Sequence, residues 1–158
     1  MNRLATIRAA VLAAVRAVPD IGQVHDRERY VREEAKFKAL FLVERPGGRQ
    51  QLRGWWIRRS ATEERVINIA RTVAVDTWTL RGYMALEDDS ATELAFDDLI
   101  EALRDQVRSD PTFGGVCALN PFDEPVEGIQ VMDAGPVNFC GVLCHSAVLQ
   151  LRTWSYIE

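Results

Sequence analysis

The sequence predicts an α+β fold, in which a mixed, mostly antiparallel β-sheet with a protruding hairpin packs against an N-terminal helix and a central helix. Three observations predict it. Two segments place apolar residues three and four apart, as amphipathic helices do. Several shorter segments alternate or run apolar between turn signals, as strands do. The order helix, strands, helix, strands then favours segregated helices over a βαβ repeat. With 158 residues and 47% apolar content, the chain fits one domain, 1–158, with a core of its own.

Leu4, Ile7, Val11, Val15 and Val18 form the first stripe, and Pro19-Asp20-Ile21-Gly22 stops the helix they define. A charged stretch follows, from His25 through Asp26, Arg27, Glu28 and Arg29 to Tyr30. Residues 37–43 are a short apolar run ending at Pro46-Gly47-Gly48, and residues 52–59 are the expected return strand, so 36–59 is expected to be a hairpin. Alternation places Arg53, Trp55, Ile57 and Arg59 on one face of that strand and Trp56 and Arg58 on the other. Further strands are expected over about 66–75 and from Trp78 to Ala85.

Ser90-Ala91-Thr92-Glu93 has the form of a capping box, which predicts that Ser90 caps the central helix. Phe96, Leu99, Leu103 and Val107 are its apolar stripe, acids crowd its first turns, arginines its last, and Ser109-Asp110-Pro111 ends it. Beyond it, 120–125 is an expected loop, 129–131 a short strand and 133–136 a turn. Residues 139–154 form a closing strand with Ala147, Leu149 and Leu151 inward.

Charge is unevenly distributed along the chain. The net of −4 combines 13 basic and 6 acidic residues in 1–60 (+7) with 6 basic and 17 acidic residues in 61–158 (−11). Such a balance argues against a purely electrostatic nucleic-acid binder and suits subunits that meet head to tail. Basic character comes from 17 Arg against 2 Lys. No apolar run reaches the ~18 residues of a membrane span, so no membrane partner is expected. Arg3, Arg8 and Arg16 imitate a targeting peptide, but residues 9–15 are too short and too closely flanked by arginine for a secretory core.

Cys117, Cys140 and Cys144 are too few and odd in number for a disulfide scaffold, which indicates a reducing compartment. Cys140, Cys144 and His145 offer zinc-ligand residue types. On a strand, however, positions 140 and 144 lie ~13 Å apart and His145 points the other way. Only a bulge or turn at Gly141 changes that geometry. No helix N-terminus follows a cysteine to activate it beside His25 or His145, and His25 is expected at the surface or an interface. Glu87-Asp88-Asp89 and Asp97-Asp98 lack calcium-loop spacing. No phosphate loop, dinucleotide fingerprint or hydrolase motif occurs, so neither a cofactor nor an enzymatic activity is expected.

The basic hairpin is the segment with interaction chemistry. Arg45, Arg49, Arg53, Arg58, Arg59 and Arg65 are interleaved with Trp55 and Trp56. That composition serves a protein interface, a single-strand nucleic-acid platform, or simply a solvated hairpin with one core tryptophan. Candidate interface residues are Arg45, Arg49, Arg53, Trp55, Arg58 and Arg59, with Asp26, Arg27 and Arg29 from the charged stretch.

Four segments together resemble the tail-terminator (tail-completion) proteins of long-tailed bacteriophages and gene transfer agents. They are residues 18–30 (Val-Pro-Asp-Ile-Gly-Gln-Val-His-Asp-Arg-Glu-Arg-Tyr), the Arg/Trp hairpin, residues 83–90 (Tyr-Met-Ala-Leu-Glu-Asp-Asp-Ser) and residues 143–151 (Leu-Cys-His-Ser-Ala-Val-Leu-Gln-Leu). The resemblance covers nearly the whole chain as a pattern of elements. It implies a structural virion protein, assembled in the host cytoplasm. Six copies would form a ring that caps the tail tube, stops its polymerisation and joins it to the head connector or neck protein. DNA would pass through the lumen without specific binding. The family supplies no catalytic residues. The alternative is a small single-strand nucleic-acid-binding or regulatory module that uses the Arg/Trp hairpin.

Overall fold

A computed structural model describes residues 1–124 and 127–157. It shows a mixed, mostly antiparallel sheet with a protruding hairpin, packed against an N-terminal and a central helix. The elements are α1 (Arg3–Arg16), β1 (Gln23–His25), α2 (Glu34–Ala39), β2 (Leu42–Arg45), β3 (Arg49–Asn68), β4 (Arg71–Ala85), α3 (Thr92–Ser109), β5 (Gln130–Phe139) and β6 (Val142–Ile157). The sheet order is β1-β3-β4-β6-β5, with β2 also paired to β3. Among the described residues, only β1 runs parallel to its neighbour.

One face of the sheet carries the main core. Ile7, Val11 and Val15 of α1 and Phe96, Leu99, Ile100, Leu103 and Val107 of α3 pack on Trp55, Ile57, Trp78, Leu80, Met84, Leu149 and Leu151. The helical stripes therefore lie where their spacing predicts. A second cluster covers one end of the opposite face, where Phe41, Leu52, Trp56, Tyr83 and Cys144 meet Phe37 and Phe139. Tyr83 and Phe139 stack with ring centroids 4.2 Å apart.

Four local expectations are corrected. Residues 37–43 are not one strand, because Glu34–Ala39 is helical and only Leu42–Arg45 is extended. Good helix formers fill that stretch, and Phe37, Leu40 and Phe41 fall at helical spacing. The strand expected over 66–75 is instead the end of a hairpin that turns at Ile69 and Ala70. No glycine or proline marks this turn; the Asn68 side chain accepts from the Ala70 amide at 3.0 Å and supplies the local bond.

Ser90 does not cap α3. A 3₁₀ turn (Asp88–Ser90) precedes it, Ala91 takes a left-handed conformation (φ 51°), and the Thr92 hydroxyl accepts from the Glu87 amide at 2.8 Å. Finally, the short strand and turn expected over 129–136 are one edge strand. Met132 bulges between Val131 and Asp133, and Pro136 is tolerated because the outer side of β5 has no partner strand. The closing strand begins at Val142, after a two-residue turn at Cys140 and Gly141 with φ values of 50° and 74°. Both angles suit a tight hairpin of the primed type. The loop expected over 120–125 is irregular through 124, and Pro125 lies outside the described residues.

Both sheet edges are open. On one, β1 and β2 cover β3 only as far as Trp56, leaving Arg58–Asn68 unpaired on its outer side. On the other lies β5.

Candidate interaction surface

Strand β3 positions the predicted hairpin residues, and packing against the two clusters divides them sharply. Trp55 is fully buried in the main core and stacks on Phe96 at 5.8 Å. Arg53 is 8% exposed, and its Nη1 donates to the Asp20 carbonyl at 2.8 Å. Both are thereby removed from any platform a nucleic acid would stack on. This corrects the expectation that they share a surface with the other arginines. Alternation alone does not reveal it, because Arg53, Trp55 and Ile57 share a face and the burial of that face depends on α1 and α3. Trp56, on the opposite face, is also buried, with the Arg58 guanidinium 5.5 Å above its ring.

The remaining candidates lie at the surface. Arg49 is exposed at the start of β3, and Arg45 pairs with Asp20 at 3.3 Å. Arg58 pairs with Glu28 at 3.0 Å and Arg59 donates to the Thr62 hydroxyl at 2.8 Å. Asp26 pairs with Arg27 at 2.7 Å, and its carbonyl accepts from Arg8 of α1. Arg29 is half-buried. The structure thus brings Arg45 and Arg49 to one end of β3 and Arg58 beside the 26–29 segment, as two separate groups. Burial beside Arg45 lowers the Arg53 guanidinium from its ordinary range, because two like charges share a poorly solvated site.

The cysteines and histidines are placed by packing. Burial raises the Cys117 and Cys144 thiols to about 11, and also raises Cys140. A raised thiol stays protonated near neutral pH, where only the thiolate is nucleophilic. At about pH 8, a thiol reagent is expected to modify Cys140 first in the folded chain. Cys117 and Cys144 are expected to react only on unfolding, as a colorimetric thiol count measures. His145 is buried, 2.7 Å from the Thr92 hydroxyl and stacked against Phe96. His25 is half-buried rather than a free surface residue: its Nε2 lies 2.7 Å from the Leu40 carbonyl, and burial lowers its pKa. The turn at Gly141 exists, yet Cys144 and His145 still point to opposite faces of the sheet. Among the described residues, no group of three His, Cys, Asp or Glu side chains is placed to hold a metal ion. No helix of the described chain is long and apolar enough to cross a membrane.

Sequence reasoning missed the apolar residues on the open edges. Val66 and Ile69 at the end of the β3–β4 hairpin are 73% and 108% exposed, and Val131 and Met132 of β5 are exposed as well. Their signal lay in the hairpin turn and the bulge, neither of which the turn residues announce. No protein-family model and no curated protein matches the chain.

Proposed function

We propose that this chain is a structural assembly subunit of the tail-terminator type. In this reading copies associate into a ring, six by the resemblance, at the head-proximal end of a phage-type tail tube. The ring stops tube polymerisation and joins the head connector. One observation carries it: the sheet ends in two open edges, and each presents exposed apolar side chains, Val66 and Ile67 on one, with Ile69 at its hairpin tip, and Val131 and Met132 on the other. Two different surfaces on opposite sides of a subunit support heterologous, ring-closing association. The nucleic-acid reading is weaker, because Trp55 and Trp56 are buried. A platform for single strands needs exposed rings for bases to stack on.

Sedimentation velocity and negative-stain imaging test the proposal. Wild-type protein is expected to pass with rising concentration into a single closed ring, and Ile69→Asp is expected to weaken that transition by roughly tenfold or more. Oligonucleotides are expected to leave it unchanged. A chain that stays monomeric at millimolar concentration and binds single-stranded oligonucleotides with a steep salt dependence would overturn the reading in favour of the nucleic-acid module.

A further inference from the structure

A groove of about 710 Å³ lies at the end of the sheet between the β2–β3 hairpin and the segment leading into α3. Lys38, Arg45, Arg49 and Arg53 line it, opposed by one lining carboxylate, Glu87, over apolar side chains that include Leu52 and Val142. Two buried polar atoms in its wall have no hydrogen-bond partner among the described residues, the donor Arg53 Nε and the acceptor Gln51 Oε1. Buried polar groups are almost always satisfied, so an orphaned donor beside cations that outnumber the groove's one carboxylate marks a site that an acidic group completes.

The matching surface is on α3 of the same molecule, beyond the segment that lines the groove. There the first half of α3 runs beside β5, and Glu93 and Asp97 line a smaller cleft with Ala134 and Pro136. Further along the helix, Glu101 and Asp105 are neutralised by Arg104 and Arg108. Glu93, Asp97 and Asp98 have no such partner among the described residues. Leu94 stands 66% exposed between them. Positions 94, 97 and 98 share one helix face, so an apolar side chain and two carboxylates project together.

We infer that the basic groove of one copy receives the Leu94–Asp97–Asp98 face of α3 from the next copy. The inference rests on the ring reading and names the two surfaces that close it. The carboxylates meet Arg45 and Arg49, and Leu94 meets the apolar floor. The donor and acceptor surfaces are different surfaces of one copy, so the contact repeats head to tail and leaves no copy unpaired in a closed ring. An apolar floor and one lining carboxylate suit an acidic helix better than a phosphate backbone.

Charge reversal tests this with two exposed double variants. Arg45→Glu with Arg49→Glu gives a copy acidic on both surfaces; Asp97→Arg with Asp98→Arg gives a copy basic on both. Each alone is expected to need roughly 100-fold more protein to assemble, because like charges now meet. An equimolar mixture is expected to assemble within about tenfold of wild type, since alternating copies restore every opposite-charge contact. Circular dichroism checks that each variant is folded. A mixture that stays monomeric while wild type assembles would overturn the inference and leave the ring reading standing. Variants that assemble like wild type would do the same. Wild type that never assembles would overturn both. Binding of an oligonucleotide that Arg49→Glu abolishes, with no rescue on mixing, would assign the groove to nucleic acid instead.

Discussion

Gly82→Ala is expected to destabilise the fold by about 3 kcal/mol, at the upper end of the usual cost of overpacking. Gly82 sits in the middle of β4, opposite Trp55 on one side and Ala147 on the other. A Cβ there would meet three atoms of the Trp55 six-membered ring at 2.4–2.5 Å. The ring has nowhere to retreat, since it is fully buried and stacked on Phe96. Relief needs either a shift of α3 or separation of β3 from β4. Thermal unfolding should fall by about 6–12 °C for a chain of this size. Adding Trp55→Leu tests the cause: if the ring is the obstacle, the double variant loses less than the two single losses combined. Strict additivity would place the strain elsewhere.

Arg3→Met is expected to cost about 3 kcal/mol, although position 3 begins the first helix. Its guanidinium lies 2.5 Å from Asp76 Oδ2 and 2.7 Å from the Ser155 hydroxyl. Asp76 is completely buried, and among the described residues its carboxylate otherwise accepts from Arg3 Nη2 at 3.3 Å and from the Thr62 hydroxyl at 2.6 Å. Removing the arginine leaves a carboxylate in the core without a countercharge, which is the costly way to break such a pair. Arg3 is itself one-third exposed, which holds the effect toward the lower end of the range for buried pairs. The reverse truncation, Asp76→Asn, leaves an arginine that water still reaches and should cost less. Denaturant unfolding of the two single variants and of the double should show Asp76→Asn recovering much of the loss caused by Arg3→Met. Equal damage from all three would argue against an unpaired carboxylate as the source.

How far the sequence carries depends on whether a signal is local. The two long helices were legible because their apolar stripes are intrinsic to the segment, from Leu4 to Val15 and from Phe96 to Val107. The alternation of β6 was legible for the same reason. Turns announced by Pro-Gly-Gly at 46–48 were legible too. The turn at 69–70 was not, because Ile69 and Ala70 stand where glycine, proline or a central Asn-Gly pair usually signals a reversal; at 140–141 Gly141 alone was a weak signal beside Cys140. The conflict at 133–136 ran the other way. Asp-Ala-Gly-Pro is strong turn vocabulary, yet an edge strand accepts proline with its missing donor facing outward.

The interaction surface was legible as composition and illegible as placement. Arg45, Arg49, Arg53, Arg58 and Arg59 look alike in a string of letters. Only tertiary packing separates Arg53, held under the Asp20 loop, from its exposed neighbours. Trp55 is a similar case, since an aromatic beside arginines describes a core residue and a binding residue equally well. The pairing of Arg3 with Asp76, 73 positions away, had no sequence signal at all.

The unpaired outer side of β3 has a further consequence for the free subunit. A long bare strand is the kind of template on which chains stack without limit. Along Arg58–Asn68 the side chains include Arg58, Arg59, Glu63, Glu64 and Arg65, with irregular pairing at Ser60 and Ile67. Charges and bulges of this kind discourage edge-to-edge stacking while leaving side-chain docking unaffected. The same strand thus carries its own guard against stacking, and neutralising its charges would favour fibres.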